Sequence, residues 1–329
     1  MRLVVTGANG FLGRNALLTL PRDWQIVALH RPQDAALPAF LARHRLDHIT
    51  PVSCDLTDAA QVATAAQHAA HGLGSDPWDA CLYLASNTDI PRSIAHPAFD
   101  LTTNTIGLIN TLENWQFDHL VYLSSGAVYI GLNGIVGVET PVTPTLPYAI
   151  AKLASEQYVR AFARHRGNPR RATIVRFFGA FGPYEPSRKL YTKLARQFAF
   201  ARNPAFTITG DGDNYIDAMY VDDAVQALRL VLDAPPEQPG VSESAESVRL
   251  VNLGMGARET VNEIARRAAC VFDIVPQITH TGASPEYITF AIDPAHFAAQ
   301  YGFAPSVTLE DGFQRLAAHL RQEDDYGAG

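Results

Sequence analysis

RLVVTGANGFLG, residues 2–13, decides the fold. Leu3, Val4 and Val5 form a short apolar run, Thr6 ends it, and glycines follow at 7, 10 and 13. The run reads as a buried strand, and the glycines allow a tight turn with close backbone approach. From Phe11 the apolar spacing becomes helical. A helix opening directly behind a glycine turn presents unpaired N–H groups and a partial positive charge, which suits a pyrophosphate. The competing reading is a glycine-rich turn without a ligand, but its place between the first strand and the first helix favours the nucleotide. Gly7, Asn9, Gly10 and Gly13 are therefore candidate cofactor contacts.

Outward from that stretch, short β-branched runs alternate with Ala- and Leu-rich helical segments. The strands read from the sequence are RLVVTG, WQIVALH, ITPVSCD, DACLYLAS, HLVYLSS and RATIVRFF, with helices near 11–20, 58–71, 96–115 and 148–165. Several runs are apolar at nearly every position, as in strands covered on both faces, so the expectation is an α/β doubly wound parallel sheet. After residue 180, Pro and Gly break the alternation, and DAPPEQPGVSESAES at 233–247 reads as a long surface loop. DNYIDAMYVDDAVQALRLVLDA returns to a strand and a helix. The expected division is a dinucleotide-binding domain over 1–180, rejoined by 213–235, with a smaller interleaved lobe from 181–212 and 236–329.

Composition narrows the partners. With 26 basic and 33 acidic residues the net charge is −7, and no basic run could neutralise a phosphate backbone, which disfavours nucleic acid. The N-terminus lacks a signal-peptide core, and no stretch reaches the ~18 apolar residues of a membrane helix. Cys54, Cys81 and Cys270 are widely spaced, suggesting neither a disulfide framework nor a zinc site, so no metal is expected and a cytoplasmic location is the default.

At the end of the second strand, where NAD-binding chains usually place an acidic residue for the ribose hydroxyls, the sequence reads Leu29-His30-Arg31-Pro32. Arg31, helped by His30, can pair with a 2′-phosphate, so NADP is expected and NAD is the alternative. Read as a plain solvated loop residue, Arg31 would say nothing. Asp55, after the third strand, is placed to approach the adenine, and Leu84, Ala85 and Ser86 to pass near the cofactor.

The segment TLPYAIAKLASE, 145–156, sets Tyr148 and Lys152 four apart on one helix face. A nearby ammonium favours phenolate, allowing the phenol to exchange a proton with a substrate oxygen. Twelve tyrosines and three lysines in 329 residues would give this spacing by accident roughly 0.1 times per chain. Ser125, at the end of HLVYLSS, faces the same crevice as the glycine loop and can bond the reacting oxygen without ionising.

With these features in place, the sequence resembles the extended short-chain dehydrogenase/reductase family of nucleotide-sugar epimerases, dehydratases and ketoreductases. The resemblance covers most of the chain: TGANGFLG, YLAS, NTIGLINTLE, SSGAVY, PYAIAK, RFFGAFGP, GDGDNYIDAMYVDDAV and YGFAPSVTLEDGF, in the family's order. It implies a Rossmann sheet and a catalytic set of Ser125, Tyr148 and Lys152, with Asn104 supporting the water or lysine network. It extends the cofactor set to Phe11, Leu12, Leu56 and Phe178, adds Tyr148 and Lys152 to it, and implies a homodimer through the helices near 96–115 and 148–165.

Departures from the family pattern bear on the substrate. Family dehydratases carry an Asp-Glu pair after the catalytic Ser or Thr; here Gly126 and Ala127 stand there, which disfavours that elimination. Gly179 replaces an asparagine that contacts substrate, and Ile216 replaces an arginine that clamps the diphosphate. Arg188, Lys189 and Lys193 are candidate replacements, each equally readable as a solvated charge. The leading expectation is an NADPH-dependent ketoreductase acting on a nucleotide sugar or related keto-sugar. A 4-epimerase with tightly bound NAD is the alternative. A non-catalytic NADP sensor or scaffold is disfavoured, because Tyr148 and Lys152 are both retained.

Overall fold

Leu3, Val4 and Val5 are wholly buried, and the strand they form is an interior strand of the main sheet. The structure, a computed structural model, describes residues 1–34, 36–74, 77–235, 247–283 and 288–327. Seven strands make this sheet: β1 (Arg2–Thr6), β2 (Gln25–His30), β3 (Ile49–Ser53), β4 (Trp78–Tyr83), β5 (Phe117–Ser125), β6 (Arg171–Phe177) and β7 (Val248–Leu253). Their spatial order is β7-β6-β5-β4-β1-β2-β3. Leu3 pairs with Ile26 on one side and Ala80 on the other, both in parallel register, so the strand order reverses at β1. That reversal opens a crevice beyond the C-terminal ends of β1 and β4.

Helices cover the sheet: α1 (Phe11–Thr19), α2 (Ala36–Arg43), α3 (Ala59–Leu73), a broken run over 97–114, and α4 (Pro147–Arg166). Asp58 caps α3 by accepting from Ala60 N and Gln61 N. The run over 97–114 contains a π-helical turn at Thr102–Ile106, which carries Asn104. The six expected strands and four helical segments all form. Of the strands and helices labelled here, two escaped the sequence reading. α2 is short and has Pro38 in its first turn, although Leu37, Phe40 and Leu41 bury an i, i+3, i+4 face. β7 follows a polar stretch and forms an edge, so its neighbours rather than its own pattern define it.

The chain folds into two compact units. One holds Met1–Val128, Pro141–Phe177 and Ala227–Val251; the other holds Tyr129–Thr140, Phe178–Gln226 and Asn252–Gly329. These divisions differ from boundaries drawn at 180, 213 and 235 because strand pairing overrides chain order. Asn133–Val136 pairs with Thr289–Ile292, and Tyr215–Ile216 pairs with Glu259–Thr260, all within the second unit. β7 instead joins the main sheet beside β6. Most of the loop expected at 233–247 lies outside the described residues. Among those described, no helix is long and apolar enough to cross a membrane.

The first unit's core contains a buried ion pair between α4 and β6. Arg176 donates from Nε to Glu156 Oε1 at 3.0 Å and from Nη2 to Oε2 at 2.8 Å, with side chains 5% and 1% exposed. Ser124 Oγ of β5 donates to the same carboxylate, at 2.5 Å. Removing one partner leaves the other charge buried and unpaired, so Glu156→Ala should lose about 3–5 kcal/mol in urea denaturation. Replacing the pair together by Leu and Met should lose less than the single change.

Candidate active site

Gly7 has φ +65°, and a Cβ there would lie 2.8 Å from Ala85 N and 2.9 Å from Ala85 Cα. The loop can pass this close to the end of β4 only without a side chain. The approach is fastened by Thr6, whose Oγ1 accepts from Leu84 N and Ala85 N at 3.1 Å each. Gly10 N donates back to Gly7 O at 2.9 Å, and a Cβ on Gly13 would fall 2.4 Å from that same oxygen. Gly10 caps α1 with no side-chain bond, which leaves backbone N–H groups of the helix start available to an anion.

A groove of about 290 Å³ runs from this loop. Gly7, Asn9 and Gly10 line it with His30 at the end of β2 and Arg31 after it, Asp55 and Leu56 after β3, and Leu84, Ala85 and Ser86 after β4. These are ten of the expected cofactor residues. Phe11 and Leu12 belong to the first turn of α1, and Gly13 packs beneath the loop. Asn9 is fixed on both sides, accepting from Arg14 Nε and Nη2 at 2.9 and 2.7 Å and donating to Asp34 Oδ2. Asp34 lines the groove too and escaped the sequence reading, since it lies four residues beyond β2 rather than at its end. Asp55 Oδ1 accepts from Thr57 N and Oγ1 at 2.9 and 2.8 Å, so that oxygen is engaged in its own turn. A groove of this shape, with a close glycine turn and free helix N–H groups, fits a dinucleotide.

Tyr148 and Lys152 stand on the first turns of α4, and both are buried. Pro147 occupies the first helical position, where its missing N–H costs nothing. Lys152 Nζ donates to Leu123 O of β5 at 2.8 Å and lies 5.1 Å from the Tyr122 ring centre and 6.0 Å from that of Tyr148. Burial pushes the ammonium down to about 8, with Asp100 and Glu156 opposing the shift. Ser125, at the C-terminal end of β5, accepts from Ala127 N at 3.1 Å through Oγ, with Gly126 and Ala127 in the 3-10 turn Gly126–Tyr129 that follows.

Asn104 is nearly inaccessible. Its Oδ1 accepts from Asn87 N at 2.7 Å and Ser86 Oγ at 2.9 Å, while Nδ2 donates to Asp100 Oδ1 at 2.9 Å. Its side chain thus braces the turn after β4 and ties it to the helix that carries Asp100. Asp100, Glu156 and Arg176 all escaped sequence reasoning. Nothing in their local spacing separates them from surface charges, and only the packing of three elements buries them.

Phe178, Gly179, Arg188 and Ile216 belong to the second unit. Phe178 packs its ring against Tyr129 and Phe290. Gly179, at φ +154°, leaves no room for a Cβ, which would lie 2.9 Å from Asp217 O. Ile216 borders a hollow with Phe181, Tyr191 and Tyr220, and Arg188 is exposed. Asp217 beside Ile216 accepts from Met255 N and Gly256 N at 2.7 and 2.8 Å, with its carboxyl pushed up to about 6 by burial.

A family model described as the NAD dependent epimerase/dehydratase family matches residues 3–243. The chain belongs to this family. It is thus an extended short-chain dehydrogenase/reductase and an NAD(P)-dependent enzyme of the oxidoreductase/epimerase type. It is 30% identical over 343 residues to a dTDP-glucose 4,6-dehydratase of Mycobacterium tuberculosis, covering 99% of this chain and 95% of that protein. Among solved structures, a UDP-glucose 4-epimerase of Thermotoga maritima with UDP-glucose aligns with TM-score 0.80 at 21% identity, covering 98% of this chain and 99% of that one. A UDP-glucuronic acid 4-epimerase of Bacillus cereus with UDP-glucuronic acid and NAD aligns with TM-score 0.81 at 20% identity, covering 98% and 100%.

In this epimerase/dehydratase family chain the loop geometry is the most direct handle on the cofactor. Gly7→Ala should lower affinity for both NAD(H) and NADP(H) at least tenfold, by calorimetric titration, while the circular dichroism spectrum keeps its native shape.

Proposed function

We propose that this chain is an NADPH-dependent ketoreductase acting on a nucleotide sugar or related keto-sugar. The observation that carries the cofactor choice is the end of β2, where His30 and Arg31 line the groove and the strand's last residue offers no carboxylate. Asp34 is the nearest competing carboxylate. It accepts from Asn9 Nδ2 and, at 3.2 Å, from Ala36 N, so both its oxygens are engaged by the loop and the start of α2. The guanidinium of Arg31 suits a 2′-phosphate, which a ribose diol cannot match.

The bound nicotinamide supplies the hydride, and this chain's residues supply orientation and the proton. Tyr148 donates its phenolic proton to the carbonyl oxygen as that oxygen gains charge, Ser125 Oγ hydrogen-bonds the same oxygen, and the Lys152 ammonium stabilises the phenolate left behind. Gly126 and Ala127 offer no acid or base for expelling water, which supports simple reduction over dehydration even though the Mycobacterium relative is named a dehydratase. The homology to nucleotide-sugar enzymes supports the substrate class. Ile216, in place of a diphosphate-clamping arginine, marks where substrate contacts differ from the family's.

A 4-epimerase retaining NAD is the second reading, supported by the epimerase structures that share this fold. Mass spectrometry of nucleotide released from purified protein separates the two: tightly held NAD would overturn the reductase reading. With a keto-sugar panel, Tyr148→Phe should lower kcat by about 10²–10⁴-fold, and Arg31→Asp should reduce the NADPH-over-NADH preference at least tenfold. An undiminished rate in the first variant would sink the catalytic assignment.

The reading extends to a homodimer through the helices at 97–114 and 147–166. Leu101, Ile106, Ile150 and Tyr158 are 46%, 38%, 47% and 43% exposed there, a face that a second copy would bury. Sedimentation velocity should show a dimer that Ile150→Glu with Tyr158→Glu converts to monomer. A monomeric wild type would overturn it.

A further inference from the structure

Asp34 is a carboxylate in the wrong place for a 2′-phosphate. It lines the dinucleotide groove together with His30 and Arg31. Arg31-Pro32-Gln33-Asp34 is a turn closed by Asp34 N donating to Arg31 O at 3.0 Å, with Pro32 at the position that favours it, so both charged side chains leave the same turn. Free to move, the carboxylate would pair with the guanidinium or accept from a ribose diol, and either would oppose a phosphate there.

It is engaged elsewhere. Asp34 Oδ2 accepts from Asn9 Nδ2, and Oδ1 accepts from Ala36 N at 3.2 Å. Asn9 is held at its other end as well, where Oδ1 accepts from Arg14 Nε at 2.9 Å and Nη2 at 2.7 Å. Arg14 stands on the first turn of α1, half-buried and outside the groove lining, with its guanidinium carbon 5.3 Å from the centre of the Phe40 ring of α2. The two-pronged contact fixes which way the Asn9 amide faces. Flipped, it would turn its NH2 toward the guanidinium and its oxygen toward the carboxylate. A cation on the amide oxygen and an anion on the amide nitrogen polarise it in the same sense, so each bond strengthens the other.

We infer that Arg14 is a positioning residue for cofactor specificity: acting through Asn9, it ties up the Asp34 carboxylate and leaves the Arg31 guanidinium to a 2′-phosphate. Its positive charge also offsets that of Asp34 across a single amide. The inference rests on the NADP reading proposed above and deepens it, because the preference is then set from α1, by a residue outside the groove lining.

Affinities for NADP⁺ and NAD⁺, measured by calorimetric titration of the full chain, give the preference as a ratio. Arg14→Met keeps an unbranched side chain to pack on Phe40 but loses the charge and both hydrogen bonds. It should lower the NADP-over-NAD ratio about tenfold, whereas Arg14→Lys, which keeps the cation, should retain most of it. The deciding comparison is the same substitution made on an Asp34→Asn background, where no carboxylate remains to be held. There Arg14→Met should change the ratio by less than about twofold. A ratio unmoved by Arg14→Met, even with both affinities falling together, would show a merely structural side chain and overturn the inference. An equal loss on the Asp34→Asn background would overturn it too, since Arg14 would then not act through Asp34. Should Arg14→Met fail to fold, Asn9→Ala cuts the same link and is read on the same two backgrounds. The NADP reading fails separately: a wild type that prefers NAD⁺ would overturn it, while the fall in the ratio, taken relative to wild type, still tests the role of Arg14.

Discussion

A lysine ammonium that is 3% exposed is the constraint on which the first unit's architecture depends. Desolvation drives it to lose its proton, and the surrounding structure resists with the Leu123 carbonyl, the Tyr122 ring face and two carboxylates. Holding these groups in place requires α4 to be locked to its neighbours. Ser155 Oγ donates to Asn104 O, Thr105 Oγ1 donates to Ala151 O, and Glu156 joins Ser124 and Arg176, so the helix is bonded to the 97–114 run, β5 and β6. Buried polar networks of this kind specify one arrangement because each member would be costly if left unpaired.

The glycine turn obeys a different constraint, close backbone approach. Gly7 sits against Ala85, and Gly13 sits against Gly7 and Ala8 at distances that exclude a Cβ. The two constraints meet in the turn after β4. Its backbone at Leu84 and Ala85 is held by Thr6, and its side chain at Ser86 by Asn104. A shift in either neighbour would move the part of the groove lining formed by Leu84, Ala85 and Ser86.

In the second unit, by contrast, Gly179 and Ile216 lie in a region governed by local backbone geometry and aromatic packing. Gly179 has no space for the side chain it lacks, and Ile216 adjoins a buried aspartate held by backbone N–H groups.

Most of the dinucleotide fold was legible in the sequence because its signals are local. A strand-glycine-helix succession, apolar runs and a Tyr-Lys spacing each lie within a few residues and impose their geometry wherever they occur. α2 and β7 were not legible, because Pro38 masks a short helix and β7 owes its place to β6. Asp100, Glu156 and Arg176 were also not legible, because an acidic or basic residue reads as surface until other elements fold over it, and Asp34 was missed because it lies beyond the strand end. By itself the sequence determined the order of the strands along the chain, the glycine turn, and Ser125, Tyr148 and Lys152 as the candidate catalytic set. Tertiary structure alone decided which charges are buried, which carboxylate is matched by a cation, and which segments cross between the two units. Those outcomes depend on desolvation and hydrogen-bond geometry among residues far apart in the chain.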